Sequence, residues 1–408
     1  MNGKAPSPLL PVAEARARLF AALTPTGTEW VPFSEADGRV LAADILANRT
    51  QPPFDASAMD GYAVRAEDLA DLSARLEVIG ESVAGQRFSE ALRPGTAVRI
   101  FTGAPMPEGA DAIVLQEDVD RAGDVIAARE APAPGRWIRP AGLDFKTGET
   151  VLRAGTRLGA ADVALLASVE ALSVPVRRRP VVAILATGDE LVRPGSPRGP
   201  DQIVASNTYG LAAQVRAAGG IARDLGIAGD TEEALRAAIA DAAGADMLIT
   251  LGGASVGDRD LVGPVLRGLG MTLDFWKIAM RPGKPLMFGM LGAMPVLGLP
   301  GNPVSSLVCG ALFAGPAIRR LAGEPASAPA VLKARLGCDL RENDRREDYL
   351  RASLSRDDDG TLVATPFARQ DSSMLALLSR ADALVVRPPH APPAHEGDSA
   401  DILLLRGL

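Results

Sequence analysis

Along residues 11–23 (PVAEARARLFAAL), the apolar positions Val12, Ala15, Leu19, Phe20 and Leu23 recur at the spacing of one helical face, which predicts an amphipathic opening helix. A second helix-like pattern covers residues 33–46 and runs into the turn-rich segment RTQPPFDASAMDGYAVR. Over about residues 54–140 the pattern changes. Short apolar runs (LEVIG, TAVRIF, DAIVLQ) alternate with Gly and Pro turns, which reads as a small β-rich domain. Beyond residues 177–179, fully apolar runs alternate with amphipathic ones: PVVAILATGDEL, TYGLAAQVRAAGG, TEEALRAAIADAA and DMLITLGG. This is the βαβ rhythm of a parallel sheet with helices on both faces. Asp230 and Glu233 form a D-x-x-E capping box for one of these helices, and Asn302-Pro303 starts a long one. The last stretch, typified by RASLSRDDDGTLVATP, again reads as strands and turns.

The predicted fold is therefore multidomain α/β. Residues 1–177 form an N-terminal helical and β-rich region of two subdomains, residues 178–326 a parallel-sheet α/β domain, and residues 327–408 a C-terminal β domain. A chain of 408 residues fits this division, because single cores stop growing near about 250–300 residues.

Composition narrows the chemistry. With 47% hydrophobic and 23% charged residues the chain is of ordinary globular type, and a net charge of −7 argues against a general nucleic-acid binder. Cys309 and Cys338 form no CxxC pair, and Cys309 lies in an apolar helical run that reads as core. No disulfide framework is expected, so a reducing cytoplasm suits the chain best. The two histidines, His390 and His395, share one Pro/Ala-rich turn, which disfavours a histidine triad or a His-rich metal site. Residues 1–10 lack a signal-peptide core, and no uninterrupted apolar run approaches the roughly 18–20 residues of a membrane span.

Loops beyond the carboxyl ends of parallel strands are where such sheets bind ligands. Three Gly-rich polar segments occupy that position: Thr187-Gly188-Asp189-Glu190, the segment from Gly252 and Gly253 through Ser255 to Asp258 and Asp260, and Gly298-Leu299-Pro300-Gly301-Asn302-Pro303. Glycine lets backbone amides approach a phosphate, and a following helix N-terminus adds positive potential. Glu190, Asp258 and Asp260 would repel a phosphate unless a divalent cation stood between them. A fourth segment is basic, with Lys277, then Arg281 and Lys284 around a Pro-Gly turn, and could aim cations at an oxyanion. Neither GxGxxG nor GxxxxGK[ST] precedes a helix, so dinucleotide and P-loop readings lack their fingerprints.

Six segments in order, PPFDASAMDGYAVR, FTGAPMPEGADAIVLQED, ATGDEL, GGASVGDRD, RPGKP and LPGNPVS, make the chain resemble the MoeA molybdopterin molybdenumtransferases and the gephyrin E domain, from about residue 9 to the end. The resemblance implies that adenylylated molybdopterin binds, its pyrophosphate bond is hydrolysed with Mg²⁺, AMP leaves, and molybdate is taken up by the pterin dithiolate. It also implies an elongated homodimer, with each site between the α/β domain of one subunit and the β-rich part of the other. Other cofactor-assembly proteins and apo-molybdoenzymes are further partners it allows; nucleic acid and membrane are not.

By the same resemblance Asp60, Thr102, Asp144 and Glu190 are catalytic. Gly188, Gly252, Gly253, Lys277, Pro300, Gly301 and Asn302 bind the pterin substrate, while Arg281, Lys284, Arg351 and Ser372 hold molybdate. Asp230, Ser255 and Asp260 hold Mg²⁺. The chain departs from the family pattern at Ala254, at Arg281 where lysine is common, and at Asp371 where glycine is frequent. Three rival readings are an adenylyltransferase or a CinA-type nucleotide enzyme, both sharing the α/β domain alone, and a non-catalytic scaffold.

Overall fold

A computed structural model of the chain describes residues 9–253, 261–325 and 328–406. Its central α/β sheet has six strands in the order Ile221–Ala228, Val181–Thr187, Met247–Leu251, Met294–Leu299, Met287–Leu291, Met271–Trp276. The first four run parallel; the last two pair antiparallel. The sheet is thus mixed rather than purely parallel. The cause is local: a two-residue turn at Gly292-Ala293, with Gly292 at φ +58°, folds Met287–Leu291 back on Met294–Leu299 as a hairpin.

Alternation along each central strand supplies two cores, because successive side chains point to opposite faces. Val182, Ile184, Ile249 and Leu297 pack on one face against Leu211 and Val215 of helix Asn207–Ala217 and Val308 and Leu312 of the helical run from Pro303. Ala183, Leu185, Leu248 and Val296 pack on the other against Leu235 and Ile239 of helix Glu232–Ala240 and Val265 and Leu266 of helix Val262–Gly268. The opening helix, Val12–Ala21, joins the first of these cores through Val12, Ala15 and Leu19. It lies far in sequence from the domain it covers, and Arg18 also reaches Asp274. The run Pro303–Leu321 has the length of a membrane span at 19 residues and a mean hydropathy of 1.2, but 78% of it is buried in the protein, as a core helix is.

Two local expectations are corrected. Residues 33–46 do not form a helix. The chain makes one short 3₁₀ turn, Phe33–Glu35, and reverses at Gly38 (φ +69°); Ile45–Leu46 then pairs with Thr150–Leu152, a non-local partner that overrides the helical spacing. The N-cap of helix Glu232–Ala240 is Thr231, whose hydroxyl accepts from the Ala234 amide at 3.2 Å, and not Asp230. The cap therefore sits one residue later, and Asp230 is relieved of that role.

Strands Thr28–Pro32 and Ser173–Arg177 pair across the N-terminal region, over a core that includes Val31, Leu41, Leu166 and Val174. Within it a separate six-stranded sheet (Ala112–Leu115, Gly61–Val64, Thr96–Ile100, Leu76–Ser82, Val125–Ala128, Val119–Ala122) encloses Tyr62, Val64 and Ile126. In the C-terminal region, strands Glu347–Arg356, Leu362–Pro366, Leu332–Leu336, Ser399–Leu404 and Ala383–Arg387 close on themselves, since the first also pairs with the last. Met280–Arg281 from the basic segment is added to this sheet beside Glu347 and Asp348.

Candidate functional site

Register brings the three glycine-bearing strand ends together. Ala186 stands opposite Leu251, and Leu251 opposite Leu299, so Thr187, Gly252 and Pro300 leave the same sheet edge. A cavity of about 750 Å³ opens there, lined by Thr187, Gly188, Glu190, Asp230, Gly252, Gly253, Pro300, Gly301 and Asn302 among others. Gly252 (φ +95°) has no room for a side chain, because a Cβ there would stand 2.9 Å from both the carbonyl and the hydroxyl oxygen of Thr187. Two helices begin at the rim, Asn207–Ala217 and the run from Pro303, and the Asn207 side chain donates to the Gly301 carbonyl at 2.6 Å. The aligned peptide dipoles at a helix N-terminus favour negative charge.

One wall is apolar and was not foreseen from the sequence. Leu191–Val192 and Ile203–Val204 pair in parallel along the cavity, with Ile203 56% exposed. The signal was the β-branched pair Ile203-Val204 just after the Pro/Gly-rich stretch 194–200. The opposite character comes from Glu190 and Asp230, both exposed. Asp230 is positioned by its own amide, which donates to Asp189 Oδ1 at 3.0 Å, leaving its carboxylate unused in capping. The other two expected metal ligands, Ser255 and Asp260, lie outside the described residues, as does Asp258. Among the described residues no three His, Cys, Asp or Glu side chains cluster to hold a metal. Two carboxylates on one cavity are nonetheless the hard oxygen donors that Mg²⁺ takes.

The basic segment divides. Arg281 turns away toward the C-terminal domain, where it pairs with Asp348, approaches Asp344 at 3.5 Å and donates to Asn343 at 3.4 Å. Lys277 and Lys284 form no ion pair among the described residues. They belong to one turn, since the Ile278 amide donates to the Lys284 carbonyl at 3.0 Å, and neighbouring Pro285 lines the cavity. Lys277 sits at φ +74°, a left-handed conformation that costs a non-glycine residue about 1–3 kcal/mol and tends to occur at functional sites.

The C-terminal domain reaches the cavity through the loop 370–373. Asn302 Nδ2 donates to Ser372 Oγ at 2.9 Å, the Val304 amide donates to the Ser372 carbonyl at 3.1 Å, and Ser373 lines the cavity. Arg351 is 1% exposed; its Nε donates to Gln370 Oε1 at 3.1 Å and its Nη1 to the Asp371 carbonyl at 2.9 Å. Burial pulls its pKa down, as expected for a desolvated cation. The Asp371 carboxylate accepts from the Ser373 amide at 2.8 Å and its hydroxyl at 2.6 Å. Those two bonds hold its pKa below the usual range.

Asp60, Thr102 and Asp144 do not line this cavity in the same chain. Asp60 Oδ1 accepts from both the amide and the hydroxyl of Thr102, each at 2.8 Å. The amide first, then the hydroxyl and the nearby Arg99 charge, lower the Asp60 pKa below the usual Asp value. Arg99 is held over the Tyr62 and Phe101 rings at 5.1 and 4.7 Å and donates to the Gly61 carbonyl at 2.8 Å. Asp144 is exposed, its amide bound to the Gln51 carbonyl at 3.0 Å.

Known proteins with this architecture are similar along nearly the whole chain. Residues 10–169 match the MoeA N-terminal region (domain I and II), residues 183–320 a probable molybdopterin binding domain, and residues 333–405 the MoeA C-terminal region (domain IV). A molybdopterin molybdenumtransferase of Nostoc sp. is 40% identical over 88% of this chain and 85% of its own length. The enzyme of the same name from Haemophilus influenzae is 38% identical over 93% of this chain and 94% of its own. Among solved structures, a molybdopterin biosynthesis MoeA protein from Pyrococcus horikoshii superposes with a TM-score of 0.85 at 31% identity, covering 97% of this chain and 100% of that one.

Proposed function

The chain belongs to the MoeA family of molybdopterin molybdenumtransferases, enzymes of molybdenum cofactor biosynthesis, and from that premise we propose that it inserts molybdate into adenylylated molybdopterin with release of AMP. The observation that carries this reading is the meeting of three glycine-bearing strand ends with the loop 370–373 at one cavity. The cavity offers backbone amides and two helix N-termini for phosphate oxygens, and an apolar wall at Ile203–Val204 for a flat ring.

Cleavage of a phosphoanhydride needs positioned charge rather than a side-chain nucleophile. Water attacks one phosphorus, the bridging P–O bond breaks, and AMP and the pterin phosphate separate. Asp230 would hold Mg²⁺ with Ser255 and Asp260, and the ion, when bound, supplies charge neutralisation at the phosphates. Glu190, on the same cavity, would orient the attacking water, and Lys277 would face the phosphates. Lys284, Arg351 and Ser372 would receive molybdate, a tetrahedral dianion suited to several convergent donors.

Asp60, Thr102 and Asp144 would complete this site from a second subunit of a homodimer, which accounts for their separation from the cavity within one chain. The matches on both sides of the α/β domain weigh against the adenylyltransferase and CinA-type readings. The product would pass to apo-molybdoenzymes in a reducing cytoplasm. Incubation of the purified protein with adenylylated molybdopterin, Mg²⁺ and molybdate tests the proposal: AMP should accumulate only when molybdate is present. Equal AMP release without molybdate, or none at all, would overturn it.

A further inference from the structure

Arg351 poses a physical problem. It is 1% exposed, yet it forms no ion pair among the described residues. A buried guanidinium ordinarily demands a carboxylate, because desolvating an unpaired charge is costly. Asp371 is close enough to be felt electrostatically but turns its Oδ1 to Ser373.

A neutral amide is fitted around Arg351 in that place. Gln370 Oε1 accepts from both the backbone amide of Arg351 (3.0 Å) and its Nε (3.1 Å). Gln370 Nε2 donates to the carbonyls of Arg351 (3.0 Å) and Phe367 (2.9 Å). Both ends of this side chain are therefore committed, three of its four bonds to one residue. Nη1 of Arg351 goes on to the Asp371 carbonyl, while Nη2 has no partner among the described residues. The next residue, Ser372, accepts from Asn302 at the cavity rim, which leaves its own O–H free to donate.

We propose that Gln370 is a positioning residue for the oxyanion pocket, holding Arg351 in place without cancelling its charge so that an incoming molybdate becomes its counter-ion. The inference rests on the molybdate-insertion reading above. A glutamate could form the same Nε contact, but its charge would satisfy Arg351 internally and remove the pull on a second anion. Glutamine gives the geometry and leaves the field. Gln370 also begins the loop that carries Ser372 and its bond to Asn302 at the cavity rim.

Gln370→Glu in the full chain tests this, with Gln370→Asn as a milder variant that keeps the amide but withdraws it by one methylene. Molybdate binding is followed by titration calorimetry, and turnover at varied molybdate and at varied pterin substrate. Gln370→Glu should raise the molybdate concentration for half-saturation by about tenfold or more, the worth of one charge-assisted hydrogen bond. The rate at saturating molybdate and the KM for the pterin should stay near wild type, and Gln370→Asn should give a smaller shift of the same kind. Wild-type molybdate affinity in either folded variant would overturn the role of Gln370 while leaving molybdate insertion standing. Equal losses in both KM values and the maximal rate would overturn it too, by showing a merely structural residue. Absence of molybdate binding by the wild-type protein would overturn both readings.

Discussion

The side-chain amide of Asn302 donates to the hydroxyl of Ser372 at 2.9 Å, which ties the last glycine loop of the α/β sheet to the C-terminal β domain. Asn302 is the N-cap of the helical run from Pro303, but its side chain makes no capping bond. It spends its amide on the neighbouring domain instead, and the Val304 amide follows it to the Ser372 carbonyl.

This latch should behave as one unit. Asn302→Ala and Ser372→Ala should each raise the molybdate concentration needed for half-maximal turnover. Ser372→Ala, which also removes a proposed molybdate donor, should be the poorer of the two, and the double variant should be no worse than it, since the shared bond worth about 0.5–1.5 kcal/mol is already lost. Full additivity across this cycle would show that the two residues act separately.

The two groups proposed as catalytic, Asp60 with Thr102 beside the β-rich sheet and Glu190 on the cavity, should belong to one site across a dimer. Asp60→Ala and Glu190→Ala proteins should each be inactive. Unfolded together and refolded in equal amounts, half the dimers are mixed and each of those carries one intact site, so about a quarter of wild-type activity should return. No recovery, with mixed dimers demonstrated by differential tagging, would place all catalytic groups within one chain.

Asp60 should remain ionised well into acid. Its folded pKa is lowered by the Thr102 amide and hydroxyl, so the stability this group contributes is present above the ordinary Asp value and fades as pH falls through the folded one. Thr102→Val keeps the amide and removes the hydroxyl, and should move the Asp60 pKa up toward its usual value. Carboxyl-carbon NMR titration of labelled Asp reads this directly, and an unshifted resonance would contradict the arrangement.

Arg281 and Lys284 should separate into structural and anion-binding roles. Removing Arg281 leaves the Asp348 carboxylate, 5% exposed, without its partner, and should cost about 1–3 kcal/mol of stability in denaturant unfolding. Lys284→Ala should change stability by no more than about 0.5 kcal/mol while raising the molybdate requirement. The reverse ranking would return Arg281 to the anion pocket.

The strand ends of the site were legible because VVAILA and LITL are buried on both faces, and such runs followed by Gly-rich loops have few other uses. Periodicity failed where distant partners decided the outcome. Residues 33–46 carry helical spacing, but Ile45–Leu46 is claimed by Thr150–Leu152, about a hundred residues on in the chain. The docking of helix Val12–Ala21 on the α/β core is equally invisible, since its apolar face fits any apolar partner. For Arg351 the resemblance offered an oxyanion role but not its burial, because burial of a charge depends on contacts that sequence does not display. Its holder, Gln370, carried no signal at all until the four hydrogen bonds were seen.

The central claim is that the cavity at the carboxyl edge of the α/β sheet takes the nucleotide and phosphate end of the substrate, with molybdate beside it near Lys284 and Ser372. A crystal structure of the protein soaked with AMP, Mg²⁺ and molybdate tests this most directly. The account predicts phosphate density against Gly252, Gly253 and the Pro300-Gly301-Asn302 loop, a cation on Asp230, and molybdate in contact with Lys284, Ser372 and Arg351. Ordered AMP bound away from these loops, with molybdate on a separate surface, would contradict it.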